Sequence, residues 1–204
     1  MTKGAATARS TSNIMLVGVG GQGIILASEV LCRVLVLAGH DVKKSDVHGM
    51  AQRGGSVRSD VRFGRKVFSP TIPPGQADIL VAFEQLEALR YLPEVKRKGR
   101  IIVSTERIIP TTAYTGPYPY PGDILARLRD GGLHVHEVPA AELAAQAGNP
   151  RTASTCLLAA VSWHLKVSDE VWDRALREAF PEKIREVNLR AFALARQATR
   201  PSAS

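Results

Sequence analysis

Cysteine is scarce: Cys32 and Cys156 are the only two in 204 residues, each inside an apolar stretch, "EVLCRVLVL" and "ASTCLLAAV". Neither has a second Cys or His at ligand spacing, which excludes a C-x-x-C iron–sulfur array and a disulfide scaffold and points to two reduced core thiols in a cytoplasmic protein. Long hydrophobic runs are absent as well. The longest, residues 24–38, carries Glu29 and Arg33 and falls short of the ~18 uninterrupted apolar residues of a membrane span. Residues 1–12, "MTKGAATARSTS", lack an apolar signal core and read as a tail. Aromatic residues make up only 5% of the chain, and none is interleaved with its densest basic run, "KRKGR" from Lys96 to Arg100. The excess of 27 Lys and Arg over 19 Asp and Glu is scattered, so no nucleic-acid surface is expected, and "KRKGR" reads as the solvated end of a helix, where cations offset the helix dipole.

Catalytic signatures are missing too. There is no G-x-x-x-x-G-K-[ST] phosphate loop and no G-x-S-x-G elbow. No Gly-Asp-Gly is followed at the proper distance by the asparagine that would hold the magnesium of thiamine diphosphate; "PGD" at 121–123 does not qualify. Paired carboxylates of a cleft are not visible, and His134 with His136 make a metal pair without a third ligand, so no metal site is expected. The chain shows a site-like surface without a self-sufficient catalyst.

What is there is an alternation of strands and helices. "NIMLVGV" is a buried strand, "GGQGIILASEVLCRVLVLAG" a glycine turn and a helix closed near Gly39, and "HDVKKSDV" a second strand. "SVRSDVRFG" alternates Val57, Ser59, Val61 and Phe63 against Arg58, Asp60 and Arg62, and predicts a half-wet strand that forms a hairpin with "RKVFSP". "ADILVAF", a helix kinked near Pro93, and "GRIIVST" continue the pattern. "PTTAYTGPYPYP", carrying Tyr114, Tyr118 and Tyr120, predicts an ordered excursion over the surface. Further on come a helix over "GDILARLRDGG", a strand over "LHVHEVP", and helices to the end. The fold class expected is α/β, a Rossmann-like, mostly parallel sheet with helices on both faces and a helical C-terminal extension. It forms one domain over 13–198, with the α/β core to about 147 and the helical part at 150–198, flanked by tails 1–12 and 199–204.

Three stretches carry candidate chemistry. Gly18, Gly20 and Gly23 form G-x-G-x-x-G between strand and helix, where turning backbone and a helix N-terminus can meet an anion. A dinucleotide site also needs an acid at the end of the second strand, and Asp41 and Asp46 sit before and after "VKKS" instead. Lys43 and Lys44 are not the arginine expected for a phosphorylated ribose. The turn therefore reads as close helix-to-strand packing with an open anion site. "DVHGMAQRGGSV" places Gly49, Gly54 and Gly55 around Gln52 and Arg53 with His48 nearby. This is either a surface-approaching loop with an anion-pairing Arg53, or a connection that needs glycine to turn. "GNPRTAST" offers Asn149 as a cap, Pro150 for the first helical turn, and Arg151 as a cation where the dipole does not call for one.

Together, "GVGGQGIILASEVL", "KKSDVHGMAQRGGSV" and "GNPR" resemble the beta-subunit family of the indolepyruvate:ferredoxin oxidoreductases, the gamma-type domain of the wider 2-oxoacid:ferredoxin oxidoreductases. The resemblance runs from Asn13 to the region of Leu165, with a family-like helical tail beyond, and "HGMAQRGGSV" is its most specific part. It implies a non-cofactor subunit of a complex that oxidatively decarboxylates aryl pyruvates with coenzyme A, giving an aryl-acetyl-CoA, carbon dioxide and reduced ferredoxin in aromatic amino acid catabolism. Thiamine diphosphate, magnesium and the iron–sulfur clusters are then expected on a large alpha subunit, coenzyme A is a co-substrate, and this chain alone binds no cofactor. By position, the resemblance assigns Gly18, Gly20, Gly21, Gln22 and Gly23 to a first active-site-facing turn. It assigns His48, Gly49, Gln52, Arg53, Gly54 and Gly55 to a second loop, and Asn149 and Arg151 to a third turn. Ser154 stands where relatives often carry asparagine. An exposed partner surface is also compatible with self-association. The competing readings are a subunit for another 2-oxoacid, a stand-alone NAD(P)-binding protein, and a pure scaffold.

Overall fold

A computed structural model describes residues 11–49, 54–109 and 119–201, except for the side chain of His48. Within them, six strands form one sheet: β1 (Ser12–Val19), β2 (Asp41–His48), β3 (Ser56–Gly64), β4 (Ala77–Ala82), β5 (Val95–Ser104) and β6 (His134–Val138). The helices of the described residues are α1 (Ile24–Leu37), α2 (Gln85–Arg90), α3 (Ile124–Asp130), α4 (Ala140–Gln146), α5 (Ala153–Ser162), α6 (Asp169–Ala179) and α7 (Glu182–Ala198). The sheet order is β2-β3-β1-β4-β5-β6. β1, β4, β5 and β6 run parallel, and β3 is antiparallel to both its neighbours.

The apolar runs are buried on both sides because each strand alternates its side chains between two cores. Ile14, Leu16, Val81 and Ile102 face the larger core, which they share with Val30 and Leu31 of α1, Leu157 of α5, Trp172 of α6 and Phe192 of α7. Met15, Val17, Leu80, Ile101 and Val103 face the other, closed by Ile72, Ala88, Ile124 and Leu128. The expected α/β architecture with helices on both faces is what forms. No helix of the described residues is long and apolar enough to cross a membrane. Cys156 is buried and Cys32 half-buried. Burial pushes their thiols up to about 12 and about 11, so both stay protonated and are poor nucleophiles.

Three local expectations are corrected. "RKVFSP" does not pair with β3: the hairpin partner is β2, in register from Asp41 opposite Gly64 to His48 opposite Val57. Pro70, Pro73 and Pro74 remove ladder donors from the segment after Gly64, which instead runs irregularly to β4. Arg62 tethers it through the carbonyls of Ser69 and Thr71 at 2.9 and 3.0 Å. The supposedly wet face of β3 is not wet at Asp60, which is 3% exposed. Asp60 holds Arg58 through two hydrogen bonds of 2.7 and 2.9 Å and accepts from the Ile72 N–H at 3.0 Å. Lastly, "KRKGR" lies in β5 rather than at a helix end, because the helix stops at Arg90 and a single 3-10 turn over Leu92–Glu94 carries Pro93. Of the tyrosine-rich excursion, residues 110–118, with Tyr114 and Tyr118, lie outside the described residues.

His136 of β6 and His164, in the segment after α5, approach at 3.4 Å between ring nitrogens. Burial first, then the Arg100 guanidinium and then His136, push His164 down from 6.5 to about 4. His136 is also held low, mainly by burial. Between these values the unfolded chain binds a proton that the folded chain does not, so stability falls as pH drops from about 6.5 to about 4 and levels off below. Thermal melts across this range should show that loss, and His164→Gln should flatten part of it. An unchanged slope in the variant would refute the assignment.

Candidate functional site

The C-terminal ends of β1, β4 and β5 open into a cleft of about 530 Å³, the end at which open α/β sheets place ligands. Its floor is the turn after β1. Gly21 and Gly23 take φ of 106° and 80°, left-handed values that a Cβ would strain. Gly23 is the N-cap of α1, so no side chain caps that terminus and the first turn of α1 carries no acid. Its leading N–H groups and positive dipole end remain available to an anion or a partner carbonyl.

Gln22 locks this turn to the strands beside it. Its Oε1 accepts from the Val19 N–H at 2.8 Å, and its Nε2 donates to the Phe83 carbonyl at 2.9 Å and to Glu106 at 3.4 Å. Gly18 is what lets it fit: a Cβ there would lie 2.8 Å from both Gln22 Oε1 and Phe83 Cβ.

The second loop meets the first through backbone. The Gly20 N–H donates to the Gly55 carbonyl at 2.8 Å, and the Gly54 N–H reaches the Gly20 carbonyl at 3.5 Å. Gly49 follows β2 and is exposed. Gln52 and Arg53 lie outside the described residues, as does the side chain of His48, whose backbone ends β2 opposite Val57. The third turn meets the first from the other side. Asn149 caps the 3-10 turn of Pro150–Thr152 by accepting from the Arg151 N–H at 3.0 Å. Pro150, Arg151 and Ser154 line the cleft with Gly20, Gly21, Gln22 and Gly23. Ser154 Oγ would sit 3.3 Å from a Cβ on Gly23, so a small residue stands at a tight helix-to-turn contact.

Sequence reasoning missed the acids gathered here. Ser104, the last residue of β5, and Glu106, just past it, line the cleft. Glu84, at 1% exposure, accepts from the N–H groups of Glu87 and Ile108 at 3.1 and 3.2 Å and from the Tyr120 hydroxyl. Burial and the Glu84 carboxylate push the Tyr120 phenol up. Glu87, buried as well, takes the Ser56 hydroxyl at 2.5 Å and Arg90 at 3.0 Å. The available signal was positional, since "FEQLE" and "STE" directly follow parallel strands. Leu26, on the lining, and Ile25 beside it in α1 stay 41% and 39% exposed, an apolar edge suited to a protein surface.

The topology removes the dinucleotide reading. β3 intervenes between β1 and β2, which puts β2 about 10 Å from β1. Asp46 is engaged by Lys44 at 2.9 Å and by Ser59, while Asp41, at the far end of β2, accepts from the Val67 N–H at 2.9 Å. Neither can reach a ribose over the Gly23 turn.

The family described as pyruvate ferredoxin/flavodoxin oxidoreductase matches residues 13–198. Over 184 residues the chain is 37% identical to indolepyruvate oxidoreductase subunit IorB of Methanothermobacter thermautotrophicus, covering 88% of this chain and 93% of that relative. The protein of the same name in Archaeoglobus fulgidus is 38% identical, covering 88% and 91%. The gamma subunit of a keto/oxoacid ferredoxin oxidoreductase from Geobacter sulfurreducens shares the fold, with a TM-score of 0.69 at 24% identity over 92% of this chain and 98% of that one. With the match spanning nearly the whole sequence and the three loops meeting at one end of the sheet, the chain belongs to the pyruvate ferredoxin/flavodoxin oxidoreductase family.

Proposed function

We propose that this chain is the non-cofactor subunit of an indolepyruvate-type 2-oxoacid:ferredoxin oxidoreductase. Together with a large alpha subunit that carries thiamine diphosphate, magnesium and iron–sulfur clusters, it serves the reaction of an aryl pyruvate with coenzyme A. The C1–C2 bond of the oxoacid breaks and C1 leaves as carbon dioxide; the coenzyme A thiol gives up its proton as its sulfur bonds the acyl carbon, and the two electrons released pass to ferredoxin. The setting is the cytoplasm. What supports the reading is the meeting of three polar, glycine-bearing loops at the strand C-termini of a chain 37% identical to an indolepyruvate oxidoreductase subunit.

This chain's own part is positional. The Gly20–Gly23 turn, held by Gln22, presents backbone and the α1 N-terminus to the partner's active-site region, and the apolar edge of Ile25 and Leu26 excludes water from the joint. Arg53 pairs with an anionic part of coenzyme A or with a partner carboxylate, and His48 hydrogen-bonds across the interface. An Arg53→Ala complex should show an apparent KM for coenzyme A raised about tenfold, the loss of one charge-assisted hydrogen bond, with kcat less affected. Unchanged KM and unchanged coupling to ferredoxin would remove Arg53 from the site. A pure scaffold would instead show weakened assembly with the kcat of the assembled fraction intact. Turnover of indolepyruvate against pyruvate and branched-chain 2-oxoacids tests the substrate class, and a preference for either alternative would overturn it.

A further inference from the structure

At the opposite end of the strands from the glycine turn lies a second cleft, of about 440 Å³. Ile14, Leu35, Phe63 and Ile79 form its floor, and Leu165 and Val167 one wall. Around the mouth stand Lys98, Arg100 and Lys166, all exposed and without an acidic partner within ion-pair distance among the described residues. Among the described residues the one carboxylate on the lining is Asp78, already occupied by the Asn13 N–H at 2.8 Å and by Lys96.

Two of these cations are placed there by an irregularity in the sheet. Ala77 of β4 is level with Val95 of β5, but Ile79 is level with Arg100, so β5 bulges between them. The bulge depends on Gly99, where a Cβ would come 2.5 Å from Val95 Cγ1 and 3.0 Å from the Ala77 carbonyl. A bulge gives up ladder hydrogen bonds and re-aims side chains. This one sets Lys98 and Arg100 over an apolar floor, where clustered like charges are unfavourable unless an anion arrives. His40 stacks edge-on to Phe63 at 5.2 Å, which adds an aromatic face.

We propose that this cleft binds a small organic monocarboxylate with an apolar body, the carboxylate held by Arg100 with Lys98 and Lys166 and the body resting on Phe63, Leu165 and Val167. A guanidinium offers a fork that fits a carboxylate. The walls supply apolar contact that an inorganic anion cannot use. The inference concerns a surface of this chain alone and does not depend on the proposed reaction.

The test is titration of the 204-residue chain with phenylacetate by calorimetry and thermal shift. Acetate and inorganic phosphate serve as comparisons. Binding on the order of 0.1–1 mM is expected, as for a fragment-sized ligand, with acetate and phosphate at least about tenfold weaker. Arg100→Gln should weaken phenylacetate about tenfold, and Lys166→Gln should do so to a lesser degree. Both positions are exposed, and the ligand-free melting temperature reports that each variant folds. The proposal is overturned if phenylacetate does not bind the wild-type chain, if phosphate or acetate binds as tightly, or if Arg100→Gln binds phenylacetate like wild type. The cations would then serve only to offset the C-terminal dipoles of α1 and α5.

Discussion

Replacing Gly18 with alanine is expected to destabilise the chain by about 3 kcal/mol, the upper part of the range for overpacking a filled interior. The added methyl meets two atoms at 2.8 Å and Ile24 Cδ1 at 3.1 Å. One of them, Gln22 Oε1, belongs to a side chain pinned at both ends by hydrogen bonds. The other, Phe83 Cβ, is fixed to the backbone, and Phe83 is 2% exposed. Neither can yield cheaply, so β1 or the turn must move, and the cleft moves with it. Urea unfolding should show a lower midpoint at unchanged m, and the assembled complex should lose most of its turnover. Wild-type stability would mean that the turn is looser than its geometry indicates.

Gln22→Leu, close in volume but without polar atoms, is expected to cost about 2–4 kcal/mol, because the Val19 N–H and Phe83 carbonyl each lose a partner in a half-buried place. The Glu variant separates hydrogen bonding from charge. It still accepts from Val19, but it sets a carboxylate against the Phe83 carbonyl and Glu106, so its deficit should shrink as pH falls and the new acid protonates. Because Gly18 and Gln22 touch, Gly18→Ala should cost less in a Gln22→Ala background than in wild type, a coupling that a double-mutant cycle measures directly. An additive cycle would show that the methyl strains Phe83 alone.

Strand and helix identities were legible where apolar periodicity was strong: β1, β4 and β6, α1, and the helices after Pro150 lie where their residues predict. The Asn149 cap was legible from residue type, whereas the backbone bonds between Gly20 and Gly54 and Gly55 were not. Less legible was everything that depends on what a strand pairs with. "SVRSDVRFG" predicts a strand, but nothing within it says that Asp60 will be buried by Arg58 and Ile72 or that β2 will be its partner. "KRKGR" does not show which residues a bulge will bring against Gly99, since the Ala77 carbonyl at 3.0 Å comes from a neighbouring strand and Val95 folds back on it only once the bulge has formed. Gln22 is by its sequence one polar residue of a glycine turn, and its function as a clamp exists only because Phe83 and Glu106, which follow β4 and β5, arrive from 61 and 84 residues away in sequence.

The sequence by itself determined the α/β class, the glycine turn between the first strand and helix, the polar loops and the family, since periodicity, turn chemistry and a long specific motif are properties of neighbouring residues. Only the tertiary structure decided that β3 enters between β1 and β2, moving Asp41 and Asp46 out of reach of a ribose. It alone brought the first and third turns and Glu106 to one cleft, with Gly54 and Gly55 bonded to Gly20 in its floor, and left the cations of β5 over another. The physical reason is that strand order and register are fixed by the summed burial of both faces of the sheet, a quantity that no short stretch of the chain contains.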